Sequence, residues 1–425
     1  MDAESGLPKE YYPEESQELT VKSFSPGALL PVYGIGVLGA FLQIAGAQWD
    51  VSAHILGIVE TFFTPAHTVL YAGIGLVALA NLQGVRLRLA HAQDSQHASL
   101  FSGLRIAVVG TELQILAAPF DLVWHTYRGF DPFLFTPAHS ILIVGVVLGG
   151  VGMTLGVIRL LQAQRAGQQI TAKPWLLTAL VVLGLASMWG QFNFFGYWLT
   201  DLSGMDYTFG ICGIEVFRTF TRCEFVGQYS LISELISTGV FAAAGTFFFW
   251  TAKKLLRRVG IVTLTTTILV AIYAGLAIGF MAYAMVFMSP PGSFYRRNPS
   301  PQMGAALAGL IPIYLLALVP IFMLDLAVRS SIKRRTLVVL SAVVGPFAAF
   351  IDGRYVIGII ITSDLSVLLV LAIPTVIGGL LGGFLFARLS PRLSMATEFS
   401  RPGLKTSPMI PVASLDLDAE RTRSN

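Results

Sequence analysis

Ten long stretches of predominantly apolar residues recur along this chain of 425 residues. A helix of about 20 residues crosses the hydrocarbon core of a bilayer, so each stretch has the length of a transmembrane helix. Charged residues make up 12% of the chain and its mean hydropathy is +0.70, whereas a soluble domain carries about 25% charged residues. The sequence therefore predicts an all-α, polytopic membrane bundle of about ten transmembrane helices, with the lipid bilayer as partner and no nucleic-acid-binding module. The stretches lie at roughly 28–48, 65–83, 103–123, 137–160, 175–197, 230–251, 261–287, 304–326, 336–351 and 366–387.

Basic residues predict the orientation of this bundle. Loops at one end hold thirteen Lys and Arg residues and the alternate loops hold six, and the richer set is expected in the cytoplasm. Ten spans then place both termini in the cytoplasm, in the plasma or cytoplasmic membrane. The expected organisation is a polar N-terminal segment (1–26), two hairpins of two spans each (27–161), six further spans with a long outer loop at 198–229 (162–389) and a disordered tail (390–425). We expect no cleavable signal peptide, because no basic segment precedes a short apolar one near the start.

An internal repeat marks the loops that join spans 1–2 and 3–4. The segment 49-WDVSAHILGIVETFFTPAH-67 matches 120-FDLVWHTYRGFDPFLFTPAH-139, and the offset between the two grows by one after a single insertion in the second copy. The two helical hairpins are therefore predicted to be duplicates, with their matched ends outside the cytoplasm. The matched residues are Asp50 with Asp121, His54 with His125, Glu60 with Asp131, and Phe63-Thr64-Pro65-Ala66-His67 with Phe135-Thr136-Pro137-Ala138-His139.

Each repeat concentrates metal-binding side chains at one end of its hairpin. Asp50 and His54 stand at positions i and i+4, so they share one face of a helix. Thr64 and Pro65 are typical of a helix start, which places His67 in the first turn of the next helix. Two imidazoles and one carboxylate with open coordination positions suit copper, zinc or non-haem iron.

The second copy predicts the same ligand set from Asp121, His125 and His139. The sequence leaves open whether the two copies form one shared site, two sites, or one functional site beside a degenerate copy. Glu60 and Asp131 are further ligands, groups that orient a ligating histidine, or solvated loop acids. The alternative for the motifs as a whole is structural, because Asp and His often cap helices.

Haem is not expected here, although the pairs His54–His67 and His125–His139 have spacings that also occur in haem-binding membrane helices. A haem-binding pair lies along one continuous helix. Gly129, the Asp131-Pro132 pair and Pro137 would interrupt a helix between His125 and His139.

The spacing Asp50-x3-His54-x12-His67 resembles the metal motif of the C subunit of particulate methane and ammonia monooxygenases. That resemblance is confined to the segment 50–67, and the second copy departs from it by one insertion before His139. It implies that Asp50, His54 and His67 bind copper within a membrane helical bundle, and that the protein is an oxidoreductase.

Four other residues carry weaker signals. Glu112 lies inside the third span, where an ionisable group is costly and is therefore a functional candidate. Two interpretations are open: Glu112 belongs to a proton or substrate path, or its carboxyl is kept protonated or hydrogen-bonded between helices. Asp325 is expected to pair with Arg329 at i+4. Cys212 and Cys223, in the outer loop, form a disulfide or remain free thiols.

Three functions follow from these residues. The first is a membrane metalloprotein with a site on the extracytoplasmic face, an oxidoreductase of the copper monooxygenase kind. The second is a transporter or an accessory subunit of a membrane complex, in which the Asp and His groups carry ions or protons. The third is a membrane metallohydrolase, and for all three a homo-oligomer or other membrane subunits are open as partners.

Overall fold

Helices account for nearly all of the described chain in the computed structural model, which describes residues 24–55, 63–92, 97–128, 136–201, 230–287, 315–316, 318–328, 332–350 and 365–394. No strand occurs among these residues, and each predicted span overlaps one helix. The all-α prediction is therefore confirmed. The helices are α1 (Leu29–Ile55), α2 (Pro65–Ala90), α3 (Ser102–Arg128), α4 (Pro137–Arg165), α5 (Pro174–Asp201), α6 (Ser230–Leu256), α7 (Ile261–Phe287), α8 (Leu318–Ala327), α9 (Arg334–Phe350) and α10 (Leu365–Ser394).

Seven helical segments within the described ranges are long and apolar enough to cross a membrane. Large apolar side chains also cover the outside of the bundle: Leu79 is 61% exposed, Leu116 59% and Val339 68%. Apolar surface of this extent is uncommon on soluble monomers, so the helices suggest a membrane protein. The seven segments are Pro26–Asp50, Pro65–Ala90, Ala98–Trp124, Pro137–Arg165, Pro174–Gly196, Leu235–Leu256 and Ala372–Pro391.

Threonine caps fix the starts of α2 and α4. The Thr64 hydroxyl accepts a hydrogen bond from the His67 backbone N–H at 3.4 Å, and Pro65 occupies the first turn. In α4, Thr136 accepts from the His139 N–H at 3.2 Å and is followed by Pro137. The predicted helix starts are confirmed, and each cap places its histidine in the first helical turn.

The helices pack as two groups that meet at α5. In the first group, α1 lies against α2 and α3 lies against α4, while α1 also contacts α4 and α2 contacts α3. In the second group, α6 packs on α9 and α10. Helix α5 contacts α1, α4, α6 and α7, so it joins the groups and borders the first one directly.

Glycines bring the paired helices of the first group into backbone contact. A Cβ atom at Gly73 would lie 2.7 Å from the Gly39 carbonyl oxygen and 2.7 Å from the Gln43 nitrogen. A Cβ atom at Gly145 would lie 2.8 Å from the Gly110 oxygen and 2.9 Å from the Gln114 nitrogen. The contacts of α1 with α2 thus have counterparts in α3 and α4, at positions that keep the offset of the sequence repeat.

Asp325 contacts a partner that the sequence did not indicate. Its side chain is fully buried, and its Oδ1 atom lies 2.5 Å from the Lys253 ammonium on α6. Its Oδ2 atom accepts from the backbone N–H groups of Val262 at 3.0 Å and Thr263 at 3.1 Å, in the first turn of α7. Arg329, the predicted partner, lies outside the described residues. The carboxylate therefore joins α6, α7 and α8, because it compensates both a buried cation and the positive end of a helix.

Candidate metal centre

Asp50 and His67 form a buried contact across the first hairpin. Asp50 lies near the end of α1 and is 8% exposed, while His67 lies in the first turn of α2. The His67 Nε2 atom lies 2.9 Å from the Asp50 Oδ1 atom, a hydrogen-bonding distance. The ring of His67 also stacks on Tyr71, one turn further along α2, at 5.8 Å between centroids.

Asp121 and His139 form the equivalent contact across the second hairpin. Asp121 on α3 is 8% exposed, and its Oδ1 atom lies 3.4 Å from the Nε2 atom of His139 at the start of α4. Residues that match in the sequence repeat therefore make matching contacts in space.

Both Asp–His pairs line one cavity of about 40 Å³. The cavity lies between the hairpins and is closed on a further side by α5, through Gln191 and Phe194. The other wall residues are the Tyr71 ring and a set of aliphatic side chains. The aliphatic residues are Ile44, Ala47, Leu70, Ile74, Ala117, Ala118, Leu142, Ile143 and Val146. Titratable groups contributed by four helices thus share one small space.

A pair of glutamines joins the hairpins two helical turns from the aspartates. The Gln43 amide donates to the Gln114 Oε1 atom at 2.9 Å, and the Gln114 amide donates to the Gly145 carbonyl at 2.8 Å. Both side chains are fully buried. Gln43 and Gln114 keep the offset of the repeat, and each precedes its aspartate by seven positions. Seven residues span about 10 Å along a helix, so these bonds fix α1 relative to α3 at about that distance from the aspartates.

The remaining predicted ligands are placed less completely. His54 lies in α1 and His125 in α3, each four positions after its aspartate, but their side chains are outside the described part of the structure. Glu60, Asp131, Cys212 and Cys223 lie wholly outside the described residues, so their predicted roles stay predictions.

Glu112 lies on the outer face of α3. Its side chain is exposed, whereas its neighbours Thr111 and Gln114 are buried in the interior of the four-helix group. Glu112 does not line the cavity shared by the two pairs. The polar groups in the interior near Glu112 are instead Asn81 and the two glutamines. The Asn81 amide donates to the Thr111 hydroxyl at 2.6 Å and to the Ala107 carbonyl at 3.0 Å.

The donor set fits a metal cation. Carboxylate oxygen and imidazole nitrogen bind zinc, copper and non-haem iron at about 2.0–2.2 Å. Two such atoms on one ion lie about 2.9–3.4 Å apart at coordination angles of about 90–110°, and the two pairs are spaced at 2.9 and 3.4 Å. Among the described residues, no three His, Cys, Asp or Glu side chains are grouped closely enough to hold an ion by themselves. Among the described residues, the candidate donor atoms therefore form two separate Asp–His pairs.

Gln191 is the cavity residue that sequence reasoning missed. It lies within an apolar span and outside the repeat, so neither spacing nor duplication marked it. Its signal in the sequence is the run 187-SMWGQFN-193, where three uncharged polar residues interrupt a membrane-length helix. Gln43 and Gln114 had a clearer signal, because they keep the offset of the repeat.

Comparison with protein-family models, with curated proteins and with solved structures finds no match to this chain.

Proposed function

We propose that the chain is an integral membrane metalloprotein that binds a metal cation at the cavity between its first two hairpins. The observation that carries the proposal is the convergence of the Asp50–His67 and Asp121–His139 contacts on one buried cavity. Buried ionisable groups in an apolar bundle are costly and are retained mainly for function. His54 and His125 are proposed as further ligands, since they follow the aspartates by one helical turn on the same helices.

We propose that the two hairpins arose by duplication and that the site lies on the extracytoplasmic side. Three sets of matching features support the duplication: the Thr-Pro helix starts, the Asp–His contacts and the glycine contacts, all of which keep the offset of the sequence repeat. The excess of Lys and Arg in the loops at the opposite end supports the orientation. Both termini are then cytoplasmic.

Copper is the first ion to test, because Asp50, His54 and His67 resemble the copper motif described above. Zinc and iron follow, since the same donors suit them. A bound ion with an open position supplies Lewis-acid or redox chemistry to oxygen or water. The chain's own residues would hold the ion, and the apolar walls would keep bulk water from it.

The metal content of the purified protein tests this proposal. The chain is purified in detergent with a tag that contains no histidine, reconstituted with copper, zinc or iron, desalted and measured by mass spectrometry of the metal. We expect bound metal in the wild type and its loss in the double variant His67→Ala with His139→Ala. His91→Ala is the matched control, because His91 lies beyond the opposite end of α2, where its ring bonds to the Leu87 carbonyl and packs against the Phe24 ring. A wild type without metal, or a double variant that retains it, would overturn the proposal.

A proton- or ion-carrying role is the second candidate. It is favoured by the direct 2.9 Å contact of Asp50 with His67, because a carboxylate and an imidazole in contact can exchange a proton. Ion uptake into proteoliposomes separates the roles. A carrier would move ions or protons at a rate that falls in Asp50→Asn, whereas a static metal site would give no flux above empty liposomes.

A further inference from the structure

The cavity is built from residues that match in the two hairpins. Its volume of about 40 Å³ is room for about three water molecules, since one water needs about 10–15 Å³ of such space. Two carboxylates face this space, and no Lys or Arg side chain is among the described residues that line it. Six pairs of positions related by the sequence repeat form its walls: Ala47 with Ala118, Asp50 with Asp121, His67 with His139, Leu70 with Leu142, Tyr71 with Ile143, and Ile74 with Val146.

Gln191 brings a polar side chain to this cavity from outside the repeat. Its side chain is 1% exposed, and its Nε2 atom donates to the Ala40 carbonyl at 3.4 Å. Its Oε1 atom accepts no hydrogen bond from any residue that the structure describes. A buried carbonyl without a donor costs about 1–3 kcal/mol, so a water molecule or an ion bound to it would be stabilising.

Gly150 on α4 makes room for the Gln191 amide. A Cβ atom at position 150 would overlap the Gln191 Oε1 atom and would lie 2.7 Å from both Cδ and Nε2. The matching residue of the first hairpin is Ala78. The Gln191 amide therefore contacts both hairpins, through the Ala40 carbonyl on α1 and through Gly150 on α4.

We propose that both Asp–His pairs and Gln191 form a single site for one hydrated divalent cation. This inference rests on the proposed function and adds that one ion is shared by both pairs. Each buried carboxylate contacts an imidazole, and a divalent ion would balance the charge of the two carboxylates together, since buried charges are favourable only when they are paired. Neutral imidazoles and the Gln191 carbonyl supply uncharged donors. Because no three described acid or histidine groups come close together, water molecules in the cavity complete the coordination between the two pairs.

Stoichiometry and affinity together test the shared site. Binding of zinc is measured by titration calorimetry and metal analysis in the wild type, in Asp50→Asn with His67→Ala, and in Asp121→Asn with His139→Ala. We expect one ion per chain in the wild type and loss of at least a hundredfold in affinity in either pair variant. Two ions per chain, with each pair variant keeping one, would overturn the shared site while leaving the proposed metal function intact. No ion in the wild type would overturn both.

The role of Gln191 is tested by Gln191→Met, which keeps the side-chain length and removes the carbonyl. We expect affinity for zinc to fall about tenfold to a hundredfold, the range seen when groups that support a metal site are removed. Gln191→Glu restores an oxygen donor and is expected to keep wild-type binding or exceed it. Ser187→Ala is the matched control, because Ser187 lies one turn earlier on α5 and bonds to the Leu183 carbonyl. Unchanged affinity in Gln191→Met, or an equal loss in Ser187→Ala, would remove Gln191 from the site.

Discussion

The buried Lys253–Asp325 pair allows a stability prediction whose size follows from the structure. The Asp325 carboxylate accepts from Lys253, from two backbone N–H groups of α7 and from the Thr263 hydroxyl at 3.2 Å. Asp325→Ala would leave the Lys253 ammonium buried without its counter-charge, and two N–H groups of α7 without their acceptor. Breaking such a pair costs about 3–5 kcal/mol, so we expect the free energy of unfolding to fall by about that amount.

Equilibrium unfolding in a mild detergent, with added denaturant and followed by circular dichroism, measures this change. The double variant Lys253→Met with Asp325→Leu removes both charges, and we expect it to recover most of the loss because no uncompensated ion is left. Lys254→Met is the matched control, since Lys254 is the exposed neighbour of Lys253, and we expect a change within about 0.5 kcal/mol. A loss below about 1 kcal/mol in Asp325→Ala, well under the range for a broken buried pair, or a double variant no better than the single one, would refute the reasoning.

Three further predictions concern the first four helices. Thr136→Ala removes the cap of α4 and should lower the free energy of unfolding by about 1 kcal/mol, with Thr136→Ser close to wild type; an unchanged stability in Thr136→Ala would contradict the cap. Gly145→Val forces a side chain against the Gly110 carbonyl and Gln114. We expect this overpacking to lower the free energy of unfolding by about 1–3 kcal/mol in the same assay, and unchanged stability would contradict the close helix contact. Glu112→Gln should leave metal stoichiometry and affinity at wild-type values in calorimetry, because Glu112 is exposed away from the cavity; a large loss would place Glu112 in the site.

Local sequence patterns predicted much of the helical architecture. Apolar length predicted each helix, and the Thr-Pro-Ala-His runs predicted the starts of α2 and α4. These features depend on residues close together in the chain. Contacts between distant helices could not be predicted in the same way, because Asp325 contacts Lys253 on α6, which is far away in the sequence.

For the candidate site too, the sequence identified individual residues but not how distant helices bring them together. The repeat identified Asp50, His67, Asp121 and His139 as related residues, but it left open one site or two. Only packing of α1–α4 places both pairs on a common cavity, and only α5 brings Gln191 to it. A single glutamine within an apolar span has no periodic partner in the sequence, so its place in the site depends on tertiary structure.

We propose that the Asp–His cavity holds a metal ion through imidazole and carboxylate ligands. Electron paramagnetic resonance of the copper(II)-loaded protein tests it most directly, because ligand nitrogens split the copper signal. We predict nitrogen hyperfine structure from imidazole in the wild type that disappears, together with stoichiometric copper, in the double variant His67→Ala with His139→Ala. A copper signal that keeps its nitrogen couplings in that variant, or a wild-type signal without nitrogen ligands, would contradict the account.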